Sequence, residues 1–204
     1  DLSAFSFHET KNIQCGEGGL LVINKPEYDV RAEIIREKGT NRSSFFRGEV
    51  DKYGWVDIGS SFLPSDLLAA FLYAQLDSLE AIQAERRRVW SRYAANLTQG
   101  LQGDWFTLPV IPDYASNNAH MFYLVCRNLD ERSRLIATLK AAGIMAVFHY
   151  LSLHSSPYFA ATHGTRALPN SDRYTDCLLR LPLFPELTNE QVDHISHTIL
   201  AFFS

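Results

Sequence analysis

Lys11 is one of only five lysines in the chain, and it stands where an amine could do chemistry. It follows an apolar stretch, has Ser6, His8 and Thr10 as small polar neighbours, and precedes the turn Gly16-Glu17-Gly18-Gly19. A lysine held at a strand end in such surroundings can be partly desolvated, which lowers its pKa and exposes a nucleophilic amine. Condensation with a carbonyl requires such an amine. The same residues also read as a solvated turn with a surface lysine, since buried lysines are rare. Local pattern leaves both readings open.

Other chemistries find less support. His194 and His197 lie three apart on one helix, but no carboxylate or cysteine converges on them, so no metal site is expected. No Gly-x-Ser-x-Gly elbow, Walker loop or Rossmann glycine fingerprint occurs.

The elements that must position Lys11 follow from patterning. Leu2 to Phe7 and Leu20 to Ile23 read as strands around the polar turn, and Tyr28 to Lys38 as a helix stopped by Gly39. Residues 40–63, rich in Gly, Ser and aromatics, read as a functional loop. A long amphipathic helix is expected from Pro64-Ser65-Asp66 to Gly100-Leu101-Gln102-Gly103, with Glu85 and Arg86, Arg87, Arg88 and Arg92 on its wet side. Beyond a connector come a strand over Ala119–Cys126, a helix over Asp130–Ala142 and a strand over Ile144–Tyr150. A loop over 151–170, a short helix over Asp172–Leu179 and a final helix opened by Thr188-Asn189-Glu190-Gln191, with capping-box spacing, complete a small α/β domain.

Composition sets the limits. The 204 residues carry 19 basic and 23 acidic side chains, a net charge of −4 at pH 7 that disfavours nucleic acid as a partner. A hydrophobic share of 46% with 21% charged residues is ordinary for a globular domain. The longest apolar run, Leu67 to Ala74, is too short to span a bilayer. Three cysteines with no CxxC pair suit a reducing, cytoplasmic setting. No signal or transit peptide is evident at Asp1-Leu2-Ser3, and the chain reads as though it started within a domain.

Ser6-Phe7-His8-Glu9-Thr10-Lys11-Asn12, with the glycine turn after it, resembles the cofactor-lysine segment of the DegT/DnrJ-type nucleotide-sugar aminotransferases. Further stretches agree in order: Gly39-Thr40-Asn41-Arg42, Phe46-Arg47-Gly48, Asp57-Ile58-Gly59-Ser60-Ser61, Asn118 to Tyr123, Met145 to Tyr150, and Leu181-Pro182-Leu183 with Leu187-Thr188. The resemblance covers essentially the whole chain.

It implies an α/β fold, the C-terminal part of the aspartate-aminotransferase fold (fold type I). Residues 1–63 would be the tail of the large cofactor domain, 64–103 the connecting helix and 104–204 the small domain. It implies pyridoxal 5′-phosphate as cofactor, with Lys11 as the amine that condenses with it and moves protons, and Ser6 on its phosphate. Ser61 stands where the family commonly has the asparagine of Gly-Tyr-Asn, which reaches the phosphate of a partner subunit, and a hydroxyl can make the same hydrogen bond. Arg42 and Arg47 would meet the sugar nucleotide, since arginine forks suit diphosphate oxygens. His149, Tyr150 and His154 would border the sugar site. A homodimer, a nucleotide-sugar substrate of the dTDP-4-keto-6-deoxy class and glutamate as amino donor complete the implied set.

In the family, groups that cradle and pair with the cofactor ring precede the lysine, and only ten residues precede Lys11 here. The expectation is that these 204 residues alone do not carry out amino transfer. Pyridoxamine-dependent sugar dehydratases share the fold but carry histidine at this position, so Lys11 discriminates against that activity. The alternatives are a non-catalytic fragment or interaction module of such an enzyme, and a related sugar aminotransferase with a different ketosugar.

Overall fold

Alternating apolar and small residues in Leu2-Ser3-Ala4-Phe5-Ser6 form β1 (Leu2–Ser6), which pairs antiparallel with β2 (Gly19–Ile23) from Leu2↔Ile23 to Ser6↔Gly19. The computed structural model describes all residues, 1–204, and they divide into two compact units, 1–79 and 80–204.

In the first unit a 3-10 turn at Pro26–Tyr28 leads into α1 (Asp29–Arg36). The helix ends where Lys38 and Gly39 take φ of 65° and 76°, a left-handed pair suited to glycine. A Cβ on Gly39 would lie 1.9 Å from the Asp57 carbonyl oxygen, and one on Gly59 would lie 2.1 Å from the Gly39 nitrogen. The two glycines therefore let the backbones touch. Lys38 N–H donates to the Ser60 carbonyl (3.0 Å) and Ser60 N–H to the Ile35 carbonyl (3.0 Å), which fastens Ser61 opposite Glu37. Residues 40–63 are otherwise irregular, as expected, apart from α2 (Arg42–Phe46). The unit closes with α3 (Asp66–Asp77), whose Leu68 N–H is capped by Ser65 Oγ at 3.3 Å.

The helical stretch does not run unbroken. Ser78 leaves helical geometry, α4 (Leu79–Asn96) starts after it, and α5 (Thr98–Gln102) follows. The second unit then holds β3 (Phe106–Thr107), β4 (Phe122–Cys126), α6 (Leu129–Ala141), β5 (Val147–Phe148), α7 (Pro157–His163), α8 (Pro169–Cys177), β6 (Leu178–Leu181) and α9 (Asn189–Phe203). The strands form an antiparallel sheet in the order β3-β4-β6-β5.

Strand β6 is where sequence patterning misled. The helix expected over Asp172–Leu179 ends at Cys177, and Leu178 to Leu181 extend into the sheet. The strand expected over Ile144–Tyr150 pairs only at Val147–Phe148, and the loop over 151–170 contains α7. The final helix has its capping box, Thr188 with Gln191.

One face of the sheet packs Phe122, Leu124, Leu179 and Leu181 against Val89, Tyr93 and Leu97 of α4, Leu135 and Leu139 of α6, and Val192, Ile195 and Ile199 of α9. Not all of the basic run on α4 is a wet face. Arg86 is buried and donates to the carbonyls of Ala119 (3.1 Å) and His120 (2.7 Å), while burial lowers its pKa. Arg88 bonds the Leu187 carbonyl (2.7 Å) and Asn189, and Arg92 pairs with Asp193. Guanidinium forks can satisfy carbonyls and caps at once, so these arginines fasten α4 to its neighbours. No helix is long and apolar enough to cross a membrane.

Candidate active site

Lys11 sits on a turn that extends the β1–β2 ladder. Phe7 N–H donates to the Gly18 carbonyl (2.8 Å), Cys15 N–H to the Phe7 carbonyl (2.9 Å) and Glu9 N–H to the Gly16 carbonyl (2.8 Å). Beneath it Ile13 and Cys15 are buried. A Cβ on Gly18 would lie 2.5 Å from Cys15 Sγ, so glycine there lets the returning strand close over the cysteine.

His8 organises the tip. Its carbonyl accepts the Lys11 N–H (2.9 Å), and its Nδ1 lies 2.9 Å from Thr10 Oγ1 and accepts the Thr10 N–H at 3.2 Å. An accepting Nδ1 puts the neutral ring's proton on Nε2, which faces Glu17 Oε1 at 3.6 Å. Ser6 Oγ accepts only a long bond from His8 N–H, 3.4 Å, so its hydroxyl is available to another partner.

Of the two local readings of Lys11, partly desolvated or at the surface of a turn, this chain shows the second: the residue is exposed. No hydrogen bond or ion pair holds its amine, and its backbone N–H is tied to the His8 carbonyl. Ser6 is exposed as well, and so is Ser61.

Arg42, which opens α2, and Arg47, just past its end, have opposite fates. The guanidinium of Arg47 is taken by Glu33 (2.8 and 3.0 Å) and Glu49 (2.7 and 3.2 Å), and these bonds raise its pKa while lowering those of both carboxyls. The free fork expected at Arg47 is thus absent, because two carboxylates already fill it. Arg42 has no carboxylate and lies over the Phe46 ring at 5.2 Å.

In the second unit His149 and Tyr150 are in ring contact, with centroids 4.9 Å apart. His149 Nδ1 is shielded from solvent without a hydrogen-bond partner, and burial, then the charge of Arg180, lowers the imidazole pKa. His154 behaves differently. It is buried, with Nε2 2.8 Å from Asp172 Oδ1, inside a segment also fastened by Ser152 Oγ to Ser171 Oγ (2.8 Å) and Thr175 Oγ1 (2.5 Å). That geometry makes His154 an anchor of the 149–156 segment on α8, rather than a group presented to solvent.

Sequence reasoning missed Arg180, which lies over Tyr150 at 5.8 Å. The available signal was a lone cation inside Leu178-Leu179-Arg180-Leu181, hidden because the run was read as a helix end.

The donor set of the first unit fits pyridoxal phosphate: an uncommitted primary amine for its aldehyde at Lys11, and an underused hydroxyl for its phosphate at Ser6. Comparison with known proteins agrees. Residues 1–200 match the family described as the DegT/DnrJ/EryC1/StrS aminotransferases. Among solved structures, the chain is similar to a DegT/DnrJ/EryC1/StrS aminotransferase from Brucella abortus, at 27% identity and a TM-score of 0.82, covering 98% of this chain and 50% of that one. It is similar to DesV of S. venezuelae in complex with a ketimine intermediate, at 26% identity and a TM-score of 0.85, covering 98% and 51%. It also resembles Spr1654 from Streptococcus pneumoniae in its PLP form, at 22% identity and a TM-score of 0.83, covering 99% and 51%. The chain spans about half the length of the structures it matches. Its mixed α/β architecture is the one expected from the sequence.

Proposed function

The chain belongs to the DegT/DnrJ/EryC1/StrS aminotransferase family, whose cofactor is pyridoxal 5′-phosphate, and on that premise we propose that Lys11 is its catalytic residue. The reaction is transfer of an amino group from glutamate to the 4-keto group of a dTDP-4-keto-6-deoxy sugar. The product would be dTDP-4-amino-4,6-dideoxygalactose, the amino sugar of enterobacterial common antigen. The observation that carries this reading is the uncommitted amine of Lys11 on the turn that extends the β1–β2 ladder, with the underused Ser6 hydroxyl at the end of β1.

When bound, the cofactor supplies the electron sink that stabilises charge at the donor's α-carbon. The chain's own residues do the rest. Lys11 accepts the proton from the α-carbon as general base and returns a proton as general acid. His8 and Thr10 hold the turn so that the lysine stem departs from a fixed point. Ser6 donates to a cofactor phosphate oxygen, and Ser61, pinned by the Gly39–Gly59 contact, offers a second hydroxyl for the same class of oxygen. Arg42 is the guanidinium left for the substrate's diphosphate. We take the working enzyme to be a homodimer in the cytoplasm.

The test is reduction with borohydride after incubation with pyridoxal phosphate, followed by peptide mapping. The expected result is stable modification at Lys11 ahead of Lys25, Lys38, Lys52 and Lys140, and its loss in Lys11→Ala. Equal labelling of all five lysines would overturn the assignment.

A further inference from the structure

Lys11 closes a β-turn. The turn runs His8-Glu9-Thr10-Lys11, and the Lys11 N–H donates to the His8 carbonyl at 2.9 Å. His8 is therefore the first residue of the turn and Lys11 the last. A second hydrogen-bonded loop is nested inside it: the Thr10 N–H donates to His8 Nδ1 at 3.2 Å. Asparagine and aspartate close the same loop with a side-chain oxygen two residues before the donor, as an Asx turn. Here an imidazole nitrogen takes the place of that oxygen, and Thr10 Oγ1 lies on the same nitrogen at 2.9 Å.

The replacement matters because an amide oxygen always accepts, whereas an imidazole nitrogen accepts only while it carries no proton. With the ring neutral and its proton on Nε2, Nδ1 takes the Thr10 N–H and the turn is closed twice. Protonation turns Nδ1 into a donor. It then faces a second donor in the Thr10 N–H, and that bond is lost, while Thr10 Oγ1 can still accept. The same proton charges the ring, and Nε2 then attracts Glu17 Oε1 across 3.6 Å. The neutral ring holds the Thr10 backbone, and the charged ring is drawn to the return arm of the turn. Glu17 is the charged group against the ring, with Glu9 and Lys11 flanking it along the turn. Across a small cavity from Cys15 and Gly18, α3 contributes Leu68, Leu72 and Tyr73.

We propose that His8 is a positioning residue for Lys11, closing the turn as a neutral ring and loosening it when protonated. The role rests on the transamination reading above. Lys11 is exposed and its amine has no bond of its own, so the turn sets where its stem begins. A bond gained or lost at Thr10 reaches Lys11 through one peptide unit, and His8 need touch neither cofactor nor substrate. Capture of the cofactor aldehyde then weakens at low pH for two separable reasons. Protonation of the amine is shared by every lysine, whereas opening of the turn is felt by Lys11 alone.

The experiment treats the full chain with pyridoxal phosphate and borohydride at steps between about pH 8 and 5, where imidazoles change charge. Labelling at Lys11 is divided by labelling at Lys25, Lys38, Lys52 and Lys140, which cancels the shared loss of free amine. The ratio should fall about fivefold across that range, the worth of one hydrogen bond. His8→Ala should hold it low throughout. His8→Asn, whose Oδ1 accepts and does not titrate, should recover most of the ratio and keep it level. Nitrogen resonances of the ring report the tautomer: Nδ1 should be the unprotonated nitrogen at the top of the range, and the Thr10 amide proton should move as the ring takes up charge. A protonated Nδ1 at that pH overturns the proposal, as does a full ratio in His8→Ala or an equal fall in His8→Asn. If His8→Ala fails to fold, His8→Asn and the unsubstituted chain still decide. No selective labelling of Lys11 at any pH, with the Thr10 amide following the ring, would sink the transamination reading and leave the turn device standing. Selective labelling with a ratio indifferent to pH would do the reverse.

Discussion

The two units of this chain are held together by different physics. In residues 80–204 twenty-one apolar side chains are buried, whereas in residues 1–79 only Ile13 and Cys15 are. The first unit instead exposes Leu2, Phe5, Trp55, Ile58, Phe62 and Leu67, and neither of its strands nor any of its helices buries a residue. Between β1–β2 and α1 it leaves an open groove of about 980 Å³, lined by Leu2, Ala4, Leu21, Ile23, Ala32 and Ile35 among others. Order there comes from backbone hydrogen bonds, turns and glycine contacts. A two-stranded sheet with both faces open is marginal by itself, whereas a sheet walled by helices carries its own core. The unit that holds Lys11 is therefore the one with least apolar burial.

Core truncation probes that contrast most strongly. Phe122→Ala should destabilise the second unit by about 3–5 kcal/mol, read as faster hydrogen exchange of β4 and β6 amides. Trp55→Ser, at a side chain 84% exposed, should change stability by less than about 0.5 kcal/mol. Comparable losses from both substitutions would break the comparison. A middle-sized effect comes from the cap of α9: Thr188→Ala should cost about 1 kcal/mol, because the Gln191 N–H it accepts at 3.3 Å would lose its partner. The measurement is again exchange, confined to the first turn of α9 and the elements packed on it.

The smallest effect is a pH dependence. Arg92, then Asn96, hold the Asp193 carboxyl down to about 2. A depressed carboxyl contributes stability that is present above its unfolded pKa, near 4, and lost as pH falls through about 2. Thermal melting of the unsubstituted chain should fall over that window, and Asp193→Asn should flatten the fall. The pair is partly solvent-exposed, so the amplitude is small and should shrink further with added salt.

Much of this architecture was legible before any coordinates, for reasons visible residue by residue. β1, β2, α6 and α9 follow from alternation, 3.6-residue periodicity and the Thr188–Gln191 box, all of them local signals. Lys11 was singled out by its neighbours and by the family resemblance, and its role stands as a proposal. Strand β6 was not, because Leu178-Leu179-Arg180-Leu181 is short and apolar, and such a run fits helix or strand until a partner strand decides it. Arg180 went unseen for the same reason. The engagement of Arg47 by Glu33 and Glu49 and the burial of Arg86 were also out of reach, since each depends on where a distant backbone or carboxylate comes to rest. Nor could patterning decide between a desolvated and an exposed Lys11, because burial depends on which surfaces meet.

The crossing of Gly39 and Gly59 has a consequence for anyone who alters the segment between them. Both positions lie far along the chain from any packed core, yet a mutational scan should find them intolerant of every other residue: a methyl group at either would force two main chains apart. The stretch from Thr40 to Ile58 is in effect a bight of rope with its neck tied. Diversity introduced within it can reshape the surface it presents, while Ser60 and Ser61 just beyond the knot stay where they are.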